Sequence, residues 1–281
     1  PNNGFRLLRN DISIVGMALS FGRALDKEQS RSLAQAVDGY LDAISGRPQL
    51  PTIAEERALE HGQFLELPRS TAVYKYVSDE TLEYVKRGSI QLGTAEYYRD
   101  SCLLNVRDPR EGYGHFHLSH ERDQLSVSLL SGFNCAIWCG TSQQSGADDA
   151  YMRVKFGRNR IKIEHIGGFS ARIKKTIEAR RCQTKEVQYR NLKLYRDVMP
   201  GIVRAAEITG CRNLTEESLH ALNKELFKSF YAFGLLANLF CKPVDYAAEH
   251  EIRVVFELGS DQRSRPIIVN DRRFLEFISF E

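Results

Sequence analysis

The sequence predicts an α+β fold on two observations: strand candidates come in clusters separated by helices, and the periodicity changes from helical to strand-like near residue 70. Residues 26–45, DKEQSRSLAQAVDGYLDAIS, place Leu33, Val37, Tyr40, Leu41 and Ile44 at helical spacing and stop before Gly46 and Pro48. A second helix is expected at about 52–64, so residues 1–70 read as a helical N-terminal region closed by Pro68-Arg69-Ser70, with residues 71–281 as the main domain. There TAVYKYV (71–77) reads as a strand, SDETLEYVKRG as a helix capped by Ser78 or Asp79 and stopped at Gly88, and SIQLGT (89–94) as a second strand. Further strands are expected at 114–119, 124–130, 150–156 and 185–190. A long helix is expected over 214–240, and closing strands at 251–258, 265–269 and 274–280.

A chain of 281 residues with 42% hydrophobic content can bury a core of its own. The net charge of +3 permits a nucleic-acid partner without demanding one. The charge is uneven: residues 153–181 hold ten Lys or Arg against two Glu, whereas residues 1–70 hold eight basic against nine acidic. No window approaches the roughly 18 apolar residues that cross a bilayer, and PNNGFRLLRND lacks a signal peptide's apolar run. The expectation is a soluble, cytoplasmic protein with no membrane partner and with its six cysteines reduced.

No glycine-rich phosphate loop, nucleophile elbow or paired-histidine metalloprotease motif is present, which argues against P-loop ATP hydrolysis and triad esterase chemistry. Cys135 and Cys139 lack a second ligand pair at zinc spacing. His115, His117 and His120 lack a carboxylate-rich partner motif, so no metal is expected. Arg153, Lys155, Arg158, Arg160 and Lys162 would form a positive stripe on a hairpin, suited to phosphate contacts, with a solvated hairpin face as the alternative. Trp138, the only tryptophan, reads as core or as a ligand platform.

The segment YAAEHEIRVVFEL, 246–258, alternates from Glu251 onward. Ile252, Val254, Phe256 and Leu258 fall on one face, and Glu251, Arg253, Val255 and Glu257 on the other. Extending that period backwards puts Glu249 beside Glu251, with Cα atoms about 6.5 Å apart, so that both carboxylates could reach one ligand. Either this is a site or the face is merely solvated.

In order along the chain, VYKYVS with its helix and strand, Asp108-Pro109-x-Glu111, Ser126 to Ser128, AIWC, Val187 to Tyr189, Lys242 and Tyr-x-x-Glu-x-Glu-x-Arg resemble the bacterial domain-of-unknown-function family 2971. The resemblance spans about residues 72–280. That family is similar to ADP-ribosyltransferases, which split NAD in a cleft between two small antiparallel sheets. The resemblance implies NAD as co-substrate, with Glu251 stabilising the oxocarbenium charge and Glu249 orienting the acceptor or taking its proton. It places Lys75, Tyr74, Tyr76, Ser126, Ser128, Trp138 and Arg253 around the cofactor, Lys75 standing where transferases usually carry Arg or His. It further implies a bacterial toxin or phage-defence effector. The basic stripe, if it borders the cleft, makes RNA or DNA the expected acceptor; with a protein acceptor it would instead dock an acidic antitoxin protein or serve solubility. A non-catalytic nucleic-acid or protein-binding module on the same fold is the alternative.

Overall fold

A computed structural model describes residues 4–9, 12–18, 65–103, 106–120, 123–130, 132, 135–142, 146–190, 194–198, 238–259 and 265–281. The chain divides into two compact units, one of residues 1–63, 112–131 and 192–239, the other of residues 64–111, 132–191 and 240–281. The described secondary structure is a mixture of helices and mainly antiparallel sheet.

The first unit carries a five-stranded sheet of β1 (Gly4–Arg9), β2 (Ile12–Ala18), β5 (Tyr113–His120), β6 (Asp123–Leu130) and β11 (Leu194–Val198), in the order β1-β2-β6-β5-β11. Two strands therefore begin a region expected to be mainly helical. The signal for them is short: two apolar runs flank Asn10-Asp11 in the sequence, and the antiparallel register pairs Arg9 with Ile12. Pairing of β2 with β6 also draws the N-terminal segment into a unit with residues 112–131, so no simple boundary falls at residue 70. The helices expected at 26–45 and 52–64, and nearly all of the one at 214–240, lie outside the described residues.

The second unit is built on an eight-stranded antiparallel sheet of β3 (Val73–Val77), β4 (Ser89–Thr94), β7 (Cys135–Thr141), β8 (Asn159–Ile163), β9 (Arg181–Glu186), β13 (Glu251–Glu257), β14 (Ile267–Asn270) and β15 (Ile278–Phe280). Its helices are α1 (Asp79–Lys86), α2 (Ala95–Asp100), α3 (Ala147–Phe156) and α4 (Ile166–Thr176). A two-stranded parallel pair, β10 (Gln188–Tyr189) and β12 (Cys241–Lys242), lies beside them. Ser78 caps α1 as expected, its hydroxyl accepting from the Thr81 N–H, and Gly88 follows the helix at φ +81°.

The sheet forks at β7. Along one edge β7 pairs with β13 over its whole length, from Cys135↔Glu257 to Thr141↔Glu251. Its other edge is shared, Ala136 and Ile137 pairing with Thr94 and Gly93 of β4, and Thr141 with Tyr74 of β3. Between those pairings β3 and β4 diverge. The core lies against one face, where Trp138, Ile252, Val254, Phe256, Ile161 and Ile163 meet Phe169 of α4 and Phe274. Trp138 and Phe169 stand edge to face with centroids 5.1 Å apart.

Three expected strands differ from what forms. Residues 150–156 belong to α3, where Asp148 and Asp149 occupy the first turn, Arg153 and Lys155 the last, and Asp149 pairs with Arg153 one turn on. Residues 185–190 split between the end of β9 and the two residues of β10. Residues 272–277 form a 3-10 helix capped by Asp271, leaving only Ile278–Phe280 as strand.

Candidate functional site

Strand β13 presents its two faces as the alternation requires: Ile252, Val254 and Phe256 enter the core, and Glu251 and Arg253 face the other way. Glu249 is not on that strand. Val244–Glu249 is a 3-10 helix, and His250, at φ 42° and ψ 47°, turns the chain before β13 begins. The two glutamates still converge, because Lys242 at the end of β12 donates to Glu249 Oε2 at 2.8 Å and to Glu251 Oε2 at 2.7 Å.

Around this lysine runs a chain of alternating charges. Arg253 Nε donates to Glu251 Oε1 at 2.6 Å, and its Nη1 and Nη2 form a fork on Glu111 at 2.7 and 2.8 Å. At the other end Lys155, reaching in from α3, donates to Glu249 Oε1 at 2.6 Å. Glu111, Glu249, Glu251, Lys242 and Arg253 are all buried. Burial alone would push the Glu251 carboxyl up, but the Arg253 guanidinium and Lys242 ammonium outweigh it and hold the group well below the usual carboxylate range. The same carboxylates hold Lys242 and Arg253 in their charged forms against burial. The Tyr189 hydroxyl accepts from the Glu251 backbone N–H at 2.7 Å, which fixes the start of β13.

Glu249, Glu251, Lys242 and Arg253 floor a cavity of about 110 Å³ bordered by Tyr74, Tyr76, Tyr98, Met152, Phe156, Tyr246 and the acidic residues Asp108 and Glu111. Met152 and Phe156 are one helical turn apart on α3, and Tyr74 and Tyr76 share a face of β3. The volume suits one substituted ring and is short of a whole dinucleotide.

Lys75 has an unusual position. By strand alternation it belongs with Val73 and Val77 on the core face, opposite to Tyr74, which registers with Thr141 beside Glu251. Its ammonium lies in the fork of the sheet, donating to the Cys139 carbonyl at 2.6 Å and standing 5.2 Å from the centre of the Trp138 ring. Lys75 therefore borders both the Glu251 cavity and a second cavity on the core side of the fork. Burial lowers its pKa, and among the described residues no carboxylate pairs with it.

The structure thus brings Lys75, Tyr74, Tyr76, Glu249, Glu251 and Arg253 to one cavity. Trp138 is not among its lining: with Ala136 it points from β7 into the core, while Cys139 faces the cavity. Ser126 and Ser128 are on β6 in the first unit, in register with His117 and His115, and the placement of their side chains lies outside the described residues.

The basic stripe differs from expectation. Lys155 pairs with Glu249, and the others are also engaged within the unit: Arg153 with Asp149, Arg158 with Asp79, Arg160 with Glu281 and Asp149, and Lys162 with Glu164. The stripe required a hairpin, and α3 followed by β8 does not make one.

Lys242, Glu111, Asp108, Tyr98 and Tyr246 were not assigned a role by the sequence. The signal available was charge balance, because two glutamates and an arginine on a buried face require further partners. A search against protein-family models finds no match, and neither curated proteins nor solved structures yield one.

Proposed function

We propose that the second unit cleaves NAD at its nicotinamide–ribose bond and transfers ADP-ribose to an acceptor. The observation that carries this reading is Glu251: a buried carboxylate, kept ionised by two cations, on the floor of a tyrosine-walled cavity at the fork of an antiparallel sheet. In this reaction the C1′–N bond breaks with its electron pair leaving on nicotinamide, and positive charge builds on the ribose. A fixed carboxylate stabilises that charge more than it stabilises the neutral sugar. Of the four acceptor directions of the carboxylate, Lys242, Arg253 and the Cys139 thiol take three, and the remaining one can meet a ribose hydroxyl. The acceptor's nucleophile then bonds to C1′ and gives up a proton, for which Glu249 is the neighbouring base. The ring fills the cavity, and the rest of the dinucleotide lies outside it.

A toxin or defence effector remains the setting that the sequence resemblance supplies, but a nucleic-acid acceptor loses its main support now that the stripe is internally paired. The test is incubation of the protein with labelled NAD and a cell lysate, followed by nuclease or protease digestion. Label released by protease alone identifies a protein acceptor, and label released by nuclease a nucleic acid. No labelled polymer and no NAD consumption would remove the transferase reading.

One observation favours a second reading, a binding module without catalysis. All four carboxylate oxygens of Glu249 and Glu251 accept from a cation, as in a purely structural ion cluster. Consumption of NAD separates the two.

A further inference from the structure

Among the described charged residues that border the cavity, Asp108 is the one with an unmet oxygen. It is buried, 1% exposed, and everything else about it is fixed. Its N–H donates to the Tyr98 carbonyl at 2.9 Å, its own carbonyl accepts from the Glu111 N–H at 2.9 Å, and Oδ1 accepts from the Arg110 N–H at 2.9 Å. Oδ2 is closed to water and has no hydrogen-bond partner among the described residues. The contrast with Glu111, three residues on in the same turn, is instructive, because both oxygens of Glu111 are met by Arg253. Buried carboxyl oxygens are almost always satisfied, since an unmet one forfeits its hydration without return. This one stands on a rigid turn beside a ring-sized cavity with aromatic walls.

We infer that Asp108 Oδ2 is the recognition group for a hydrogen-bond donor carried by the ligand's ring. Resting on the NAD reading above, that donor is the carboxamide NH2 of nicotinamide. The ring lies among the tyrosines, and its amide brings to Oδ2 the proton that no described residue supplies. Because the oxygen is covered, binding displaces a neighbouring side chain slightly. Asp108 then selects the leaving group, and Glu251 acts on the bond that breaks. A site built to accept from an N–H discriminates strongly against an otherwise equal ligand that lacks it, because the oxygen is left unpaired in that complex.

The experiment uses the full chain and two probes of the same shape, nicotinamide and 3-acetylpyridine, which carries a methyl group where nicotinamide has its NH2. Their affinities are measured by calorimetry for the wild type and for Asp108→Asn. The isosteric Asn can keep its oxygen on the Arg110 N–H and would then present its own NH2 instead of an acceptor. The wild type is expected to prefer nicotinamide by at least about tenfold, and Asp108→Asn to lose or invert that preference. Equal affinity of the wild type for both rings overturns the inference without recourse to any variant, as does an unchanged preference in a folded Asp108→Asn. If NAD is still consumed in either case, the transferase reading stands and only the role of Asp108 falls. Binding of neither ring at millimolar concentration, with no NAD consumption, overturns both.

Discussion

Arg253 decides whether the charge cluster holds. Its guanidinium is buried and makes three hydrogen bonds to two buried carboxylates, so its removal strands both Glu111 and Glu251 without their shared cation. Breaking a buried pair from one side costs about 3–5 kcal/mol. Arg253→Met is therefore expected to lower unfolding free energy by about that amount, read from urea denaturation. The pH dependence follows from Glu251. Its folded pKa lies below that of an unfolded glutamate, so its contribution is fully present above about pH 4.3 and is lost as the pH falls towards the folded value. Wild-type stability should fall on acidification through that window, and Arg253→Met should show a shallower fall. An equal slope in both proteins would mean that Arg253 does not hold the carboxyl down.

The two glutamates and the arginine were legible as a cluster because a two-residue period is a local property of the chain. The route by which Glu249 arrives was not. A left-handed residue at His250 breaks the period, and Lys242 restores the convergence from another strand. Lys75 shows the same limit. The resemblance implied its place in the cleft, alternation put it on the opposite face, and the fork lets the ammonium border both sides.

Helix α3 and strand β8 are joined at Gly157, whose φ of +129° is reached readily only by glycine. A Cβ there would stand 2.3 Å from the backbone carbonyl of Val77, on the strand that carries Tyr74 and Tyr76. Gly157→Ala is expected to cost about 1–3 kcal/mol from backbone strain, and more from the contact. It should also weaken ligand binding, because α3 supplies Met152, Phe156 and Lys155 to the site. Thermal unfolding and calorimetry check the two effects; unchanged behaviour in both would show that the turn is not constrained as described.

Elements with clean local signals formed where the sequence placed them. Strands β3, β4, β5, β6 and β13 have strong apolar or alternating patterns, and α1 has its Ser78 cap and glycine stop. Helix α3 misled because AYMRVKF alternates as plausibly as it winds. What settled it was the acids preceding it and the i, i+4 pair of Met152 and Phe156, which only a helix places on one face. The two N-terminal strands were missed because each is short and the more obvious helical pattern follows them.

For the molecule as a whole, the local pairing of the basic segment carries a consequence. Arg158 is exposed and already paired with Asp79, so Arg158→Glu is expected to leave nucleic-acid affinity and its salt dependence unchanged. A shallower salt slope in filter binding would restore the stripe as an interface. No helix among the described residues is long and apolar enough to cross a membrane.

The forked sheet was not readable from the sequence, because it depends on β7 accepting two different strands along one edge, a long-range choice that no local pattern announces. Yet it is the fork that sets the cavity's position, with Glu251 and Tyr74 meeting across Thr141. The most direct measurement is release of free nicotinamide from NAD by the purified full chain, with Glu251→Gln alongside and the fold of each protein verified by thermal unfolding. The account predicts release by the wild type and a loss of roughly 10²-fold or more in a folded Glu251→Gln, the scale for one preorganised electrostatic group. No release by the wild type, or equal release by both proteins, would contradict it.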